Sequence, residues 1–248
     1  MAELAALIQT QIVKIENLDQ SLKLFSLGSA TEFALPPFPV GGHVSVCVQN
    51  STAINWCDFS LINDTDNTYW QIIVQSHQRD VQSRSHMLFH ASRPGDKLII
   101  KPPLAGMTLK QGKKHLFIAG GSGASGLLGL AHQAQKLKLQ FEFHHGIRHL
   151  NGFQLLIRKM LGKNYNFYNS SSGIRMNINE LIINQPAETH IYVCGPVSLL
   201  ADTIQSAHDS SWPLHRIHWD RAFDSALLNM FNSTLESHKK NAPLQLIC

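Results

Sequence analysis

Charge is sparse in this chain. Only 15% of its 248 residues are Asp, Glu, Lys or Arg, against 44% apolar. That balance supports a sizeable core and excludes a disordered chain. The formal charge is +4, yet Lys and Arg never gather beyond Lys113-Lys114 and Lys239-Lys240. No electrostatic stripe for a nucleic acid exists. Cysteine is also rare: Cys47, Cys57, Cys194 and Cys248 lie far apart, with no C-x-x-C. A zinc ribbon or a ferredoxin-type cluster within these residues is excluded. The longest uncharged apolar stretch, Leu116 to Ala131, is broken by five glycines and falls short of the ~20 residues a membrane helix needs. The N-terminus carries Glu3 and has neither a basic head nor a small-residue cleavage site, so no signal peptide is read there. A cytoplasmic protein with free thiols is expected, with no membrane and no nucleic-acid partner. No internal repeat is present.

What is there divides into two halves. Up to Pro102-Pro103 the chain shows short strand patterns separated by turn signals and no long helix. Strands are expected near Thr10–Asn17, Leu22–Ser26, His43–Val48, Trp56–Ile62, Tyr69–Val74 and Lys97–Lys101, with a short helix within Val81–Phe89. Leu35 to His43, rich in proline and glycine, reads as a rigid loop. This half predicts an antiparallel barrel of roughly six strands. After Gly112 strands alternate with helical patterns. Strands are read at His115–Ala119, Leu139–His144, Tyr165–Tyr168, His190–Cys194 and His215–Trp219. Helices are read from Ser122 to about Lys136 and over Phe153–Leu161, Ile178–Ile183 and Val197–Ala207. That order predicts a parallel sheet with covering helices. The expected organisation is a barrel over residues 1–110, an α/β domain over 111–223 and a tail over 224–248, with one helix possible at Leu227–Phe231.

Leu116 to Leu130 is the stretch with the clearest chemistry. A short apolar run, suited to a strand buried on both faces, ends in Gly120, Gly121, Gly123 and Gly126 and leads into a helical pattern. A strand, a glycine turn and a helix N-terminus direct free backbone N–H groups and a dipole end at one point, which suits an anion. A dinucleotide pyrophosphate is the expected anion, although the glycines do not fit G-x-G-x-x-G. The alternative is a glycine-rich turn needed only for close packing.

Several segments together resemble the ferredoxin–NADP reductase-like flavoproteins. Pro36-Pro-Phe-Pro-Val-Gly-Gly-His43 is similar to the segment before the family's flavin strand. Phe59-Ser60-Leu61 is similar to part of its R-x-Y-S motif. Arg93-Pro-Gly-Asp96 with Leu98-Ile-Ile100 resembles the turn and strand that close its barrel. Ala119-Gly-Gly-Ser-Gly-Ala-Ser125 resembles A-G-G-x-G-x-T, and Tyr192-Val-Cys-Gly-Pro196 resembles Y-x-C-G-P. The nearest branch is that of phthalate dioxygenase reductase and vanillate demethylase reductase, whose usual ferredoxin domain is not expected within these residues.

The resemblance implies FMN or FAD in the barrel and NADH or NADPH in the α/β domain. Electrons would pass to a separate iron–sulfur or oxygenase protein. FMN and NADH are the branch's preferences; Arg148 keeps NADPH open, because an Arg can accept a 2′-phosphate. Phe59 and Leu61 would lie by the flavin, and Ser60 would hydrogen-bond its ring edge. Gly120, Gly121, Gly123 and Ser125 would hold the pyridine nucleotide, with Arg148 near its adenosine ribose. Cys194, Gly195 and Pro196 would line the nicotinamide pocket. Ser60 and Cys194 are the expected catalytic pair.

Departures from the family pattern fall at ligand positions. Its phosphate-pairing Arg is Cys57, and its Tyr is Phe59. Its G-G-S loop is Ser83-Arg84-Ser85, so Arg84, with Arg79, could return the missing positive charge. Its Thr-Pro is Ser125-Gly126, which predicts a looser loop. Its flavin-covering C-terminal aromatic falls on Ala222, with Phe223 or Trp219 as substitutes. These departures leave a second reading open, a reductase-like accessory subunit that has lost flavin or nucleotide. Cys57 reads as inert packing, and Cys194 as either a thiol near the cofactor or a small buried residue. His144, His145 and His149 have no dedicated metal geometry, so no metal is expected. His215 and His218 read as surface and core residues. No G-x-S-x-G elbow supports a hydrolase.

Overall fold

The computed structural model describes residues 7–49, 54–63, 68–76 and 83–219. In the first half, β1 (Ile8–Asn17), β2 (Leu22–Ser29), β3 (His43–Gln49), β4 (Ile54–Ser60), β5 (Trp70–Gln75) and β6 (Lys97–Ile100) form one sheet in the order β4-β3-β6-β1-β2-β5. Every pairing in it is antiparallel. The two end strands meet just past β4. There the Ile62 N–H donates to the Gln71 carbonyl at 3.0 Å, and the Gln71 N–H donates to Asn63 Oδ1 at 2.8 Å. The sheet is therefore a nearly closed six-stranded barrel, as its strand patterning predicts. Alternation explains its core: Val44, Val46 and Val48 of β3 point inward and are buried with Phe25, Phe59 and Trp70. Helix α1 (Arg84–Ala91) caps its own first turn, with the Ser83 hydroxyl accepting from the His86 N–H, and buries Leu88 and Phe89 against the barrel.

The second half holds β7 (Lys114–Gly120), α2 (Ala124–Lys136), β8 (Phe141–Ile147), α3 (Gly152–Leu161), β9 (Tyr165–Asn169), α4 (Ile178–Ile183), β10 (Thr189–Cys194), α5 (Val197–Asp209) and β11 (Ile217–His218). Its five strands are parallel in the order β11-β10-β7-β8-β9. The uniformly apolar run Leu116–Ala119 is fully buried in the centre of this sheet. One face packs Phe117, Phe143, Tyr165 and Tyr192 against α2 and α3. The other packs Leu116, Ile118, Ile191 and Val193 against α4 and α5.

The two halves share a core. Leu22, Leu24, Ile62 and Ile73 of the barrel pack in the same apolar cluster as α2. Gly129 makes this possible, because a Cβ there would lie 3.3 Å from the Gly41 backbone nitrogen and 3.4 Å from the Leu61 carbonyl oxygen. The connecting segment, residues 101–113, is held from both sides. His43 and Leu104 exchange backbone hydrogen bonds at 3.0 and 2.9 Å, and the Lys110 N–H donates to the Tyr192 hydroxyl at 2.8 Å.

Two expectations shift. The strand expected over His215–Trp219 is only Ile217–His218. Leu214–Arg216 winds instead into a 3-10 turn, closed by the Arg216 N–H on the Pro213 carbonyl. The strand expected over Trp56–Ile62 is Ile54–Ser60; the Leu61 N–H makes one further bond, to the Gly42 carbonyl, and the Ile62 N–H then turns to Gln71. Arg79, Ala222, Phe223 and the tail over 224–248 lie outside the described residues.

Phe117 is fully buried and contacts the rings of Phe141, Phe143 and Tyr192. Replacing it with Ala should cost about 3–5 kcal/mol of unfolding free energy, read from urea unfolding. A cost below 1 kcal/mol, well short of that range, would show that β7 is not the packing centre.

Candidate active site at the crossing of barrel and sheet

Strand order reverses between β7 and β10, and a crevice at the carboxyl ends of such strands is where open α/β sheets take ligands. β7 ends at Gly120 and β10 at Cys194. The glycine cluster and the Cys194-Gly195-Pro196 turn therefore meet at this point. They meet more closely than side chains would allow. A Cβ on Gly123 would lie 2.6 Å from the Cys194 carbonyl oxygen, and one on Gly120 2.7 Å from Pro196 Cδ. Gly195, at φ +155°, would place its Cβ 2.8 Å from the Gly120 nitrogen. Gly123 and Gly195 are thus glycines first because two backbones touch, and Gly120 because the Pro196 ring and the Leu199 side chain lie against it. Gly121 differs. It is exposed, sits at φ +55°, and no described atom lies within 4 Å of its Cβ position.

Gly126 joins the barrel to this point. Its Cβ position lies 2.9 Å from Cys194 Sγ and 3.7 Å from Ser60 Oγ. Ser60 is the last residue of β4, and pleat alternation turns it away from Phe59. Phe59 and Leu61 are buried, Phe59 among the barrel core residues. The two expected catalytic residues, from strands in different sheets, are thereby brought to one spot. A looser loop is expected at Ser125-Gly126. Both residues lie in the first turn of α2, the Ser125 hydroxyl donates to the Ser122 carbonyl at 2.8 Å, and the Cys194 thiol covers Gly126.

Among the described residues, two cations stand by the barrel side of the site, Arg84 and Lys101, whose Nζ lies 4.3 Å from the centre of the Trp56 ring. Cys57, where the family pattern has Arg, faces Val46 across the β3–β4 pair. Burial pushes its thiol pKa up, Asp58 adds to this, and the Arg84 charge opposes it. The thiol is neutral, in keeping with inert packing. Arg84, at the start of α1, donates from Nη1 to the Trp56 carbonyl at 2.9 Å, beside Cys57. A guanidinium thus stands next to the position that lost one. Ser85 follows in the same first turn.

Arg148 follows β8 and is exposed. Its carbonyl accepts from the Ser171 N–H at 3.1 Å, which ties together the turns after β8 and β9. His144 is engaged elsewhere, by the Tyr168 hydroxyl at 2.8 Å and Glu142 at 3.2 Å. Among the described residues no three ligand-type side chains gather to hold a metal.

Sequence reasoning missed the role of His145. It is fully buried at the end of β8; Nε2 lies 2.8 Å from the Gly121 carbonyl oxygen and Nδ1 2.9 Å from the Tyr165 hydroxyl. A carbonyl only accepts, so Nε2 carries the proton and Nδ1 accepts from Tyr165. Burial lowers the His145 pKa to about 4 and raises that of Tyr165. Alternation with Phe141 and Phe143 is the signal in the sequence that puts His145 on the face under α2 and α3; its partners, however, are 24 and 20 residues away.

No protein-family model matches the chain. It is 27% identical over 226 residues to the heme-dependent oxidative N-demethylase beta subunit of Ectopseudomonas mendocina, covering 90% of this chain and 71% of that one. It is 26% identical over 212 residues to the vanillate O-demethylase oxidoreductase of Acinetobacter baylyi, covering 84% of this chain and 65% of that one. Among solved structures, phthalate dioxygenase reductase superposes with a TM-score of 0.76 at 20% identity, covering 87% of this chain and 68% of that one. The chain has the ferredoxin reductase-like fold, and its homologues include oxygenase reductase subunits. It spans about two thirds of the length of these relatives. Among the described residues no helix is long and apolar enough to cross a membrane.

Two outcomes follow from this geometry. Gly123→Ala should destabilise the fold by about 1–3 kcal/mol through overpacking against Cys194, measured by chemical unfolding; an unchanged midpoint would contradict the close approach. His145 is neutral when folded and takes a proton when unfolded below its ordinary pKa of 6.5. Stability should therefore fall as pH drops from 6.5 towards 4. His145→Gln should lose less over that window, and an equal loss would show that His145 does not contribute.

Proposed function

We propose that the chain is the flavin- and nucleotide-binding part of a reductase. It takes electrons from NADH or NADPH and passes them through a bound flavin to a separate iron–sulfur or oxygenase protein. One observation carries this reading: Ser60 from the barrel and Cys194 from the sheet both lie within 4 Å of the Gly126 Cβ position. In this reading a flavin ring would rest against Ser60 and a nicotinamide against Cys194. The flavin supplies the conversion of a two-electron hydride into single electrons.

The chain's own groups do the positioning. The Ser60 hydroxyl is a donor and acceptor for a ring edge. Cys194, Gly195 and Pro196 form one wall of the crevice, and the N–H groups of the 121–123 turn with the N-terminus of α2 would hold the pyrophosphate. Arg84 and Ser85, at the N-terminus of α1, would take the flavin phosphate in place of the family's Arg. Arg84 at a helix start suits the monophosphate of FMN, which we favour over FAD. The described cysteines are free thiols, which fits a cytoplasmic setting. The second reading, an accessory subunit without flavin, draws on Cys57, since a neutral thiol gives no charge-assisted contact to phosphate.

The visible absorbance spectrum of the purified protein separates the two readings. A bound flavin, or one taken up on adding FMN, supports the reductase; a protein that stays colourless and binds neither FMN nor FAD would rule it out. Arg84→Ala should weaken FMN binding by about tenfold, since charge-assisted hydrogen bonds contribute about 1.5–3 kcal/mol. Unchanged FMN affinity would remove Arg84 as the phosphate partner.

A further inference from the structure

The glycine turn has only a few groups that can meet an anion, and one buried side chain bears on how one of them points. The Gly121 carbonyl oxygen accepts from His145 Nε2 at 2.8 Å and from the Ala124 N–H that opens α2. His145 cannot turn to another partner, because its second nitrogen is taken by the Tyr165 hydroxyl at 2.9 Å and its ring packs edge-on to Phe153. It has no exposed surface. A trans peptide directs its C=O and the following N–H to opposite sides. Drawing the Gly121 carbonyl in towards buried His145 therefore turns the Ser122 N–H outward. Gly121 and Ser122 are both exposed. Without that pull, only the Ala124 N–H holds the carbonyl, and Gly121, at φ +55° with open space at its Cβ position, is freer to rotate.

We propose that His145, backed by Tyr165, is a positioning residue for the nucleotide: it locks the Gly121–Ser122 peptide so that the Ser122 N–H is presented to the pyrophosphate. This rests on the reading that the crevice binds a pyridine nucleotide. His145 touches neither nucleotide nor flavin. It acts through the one peptide it orients, on the sheet side of the crevice, and leaves the barrel side unaffected.

The test measures dissociation constants for NADPH, NADH and FMN on the full chain, with unfolding midpoints recorded in parallel. His145→Phe keeps a planar ring, somewhat larger than imidazole, and removes both hydrogen bonds. It should weaken the better-bound nucleotide by about tenfold, as expected for a lost hydrogen bond and a freed peptide, and change FMN affinity less than about twofold. His145→Gln, which can still donate to the Gly121 carbonyl, should recover part of the loss. Tyr165→Phe, which leaves the imidazole in place, should fall between His145→Phe and the parent and guards against a variant that fails to fold. Nucleotide affinity unchanged in His145→Phe would overturn the proposal. So would nucleotide and FMN binding falling together in step with the midpoint, which marks a merely structural role. If the parent chain binds neither nucleotide, the reading beneath the proposal fails as well; if it binds one and the variants bind it equally, the positioning role alone fails.

Discussion

The site depends on a steric constraint: two backbones, at the ends of β7 and β10, approach so closely that no side chain fits between them. Gly120, Gly123 and Gly195 are all within 3 Å of opposing atoms at their Cβ positions. Packing of this density transmits displacement and does not absorb it. A shift in the Cys194-Gly195-Pro196 turn must therefore move the 121–123 turn. The helix starts on either side follow, since α2 begins at Ala124 and α5 at Val197. The carboxyl ends of both strands act as a single wall, and the crevice inherits its shape from that wall.

The barrel is brought to this wall by the same means. Gly129 lets α2 lie against the loop at Gly41 and the end of β4, and Gly126 leaves the space into which Ser60 and Cys194 converge. The shared apolar cluster beneath holds the arrangement, and the linker is fixed by Tyr192, a residue of β10 itself. Electrostatics enter sparingly. Arg84 stands beside a neutral Cys57, and His145 works uncharged as a hydrogen-bond donor. An anion at this site would be held mostly by oriented backbone dipoles, which keep their strength where side-chain charges are few.

The fold was largely legible in the sequence because it rests on local patterns. The alternation of Val44, Val46 and Val48 marks a barrel strand, and the run Leu116–Ala119 marks a strand buried on both faces. The strand expected at His215–Trp219 was too long because Pro213 starts a turn that apolar patterning does not register. Of the site, the motifs were visible and their physical reasons were not. The glycines pointed to a phosphate turn, yet most are required by contact with residues some seventy positions away. The Ser125-Gly126 departure suggested looseness, and the contact of Gly126 with the Cys194 thiol was not visible in the sequence. His145 looked like part of a histidine cluster; only the fold pairs it with Gly121 and Tyr165.

The central claim is that nicotinamide and flavin meet where Ser60 and Cys194 converge. The most direct test is an anaerobic titration of the flavin-loaded chain with NADPH or NADH, following the flavin absorbance. The account predicts that the flavin bleaches in a single nucleotide-dependent step, and that Ser60→Ala slows this step with flavin still bound. A flavin that stays oxidised under excess of both nucleotides, in a protein shown to bind nucleotide, would contradict it.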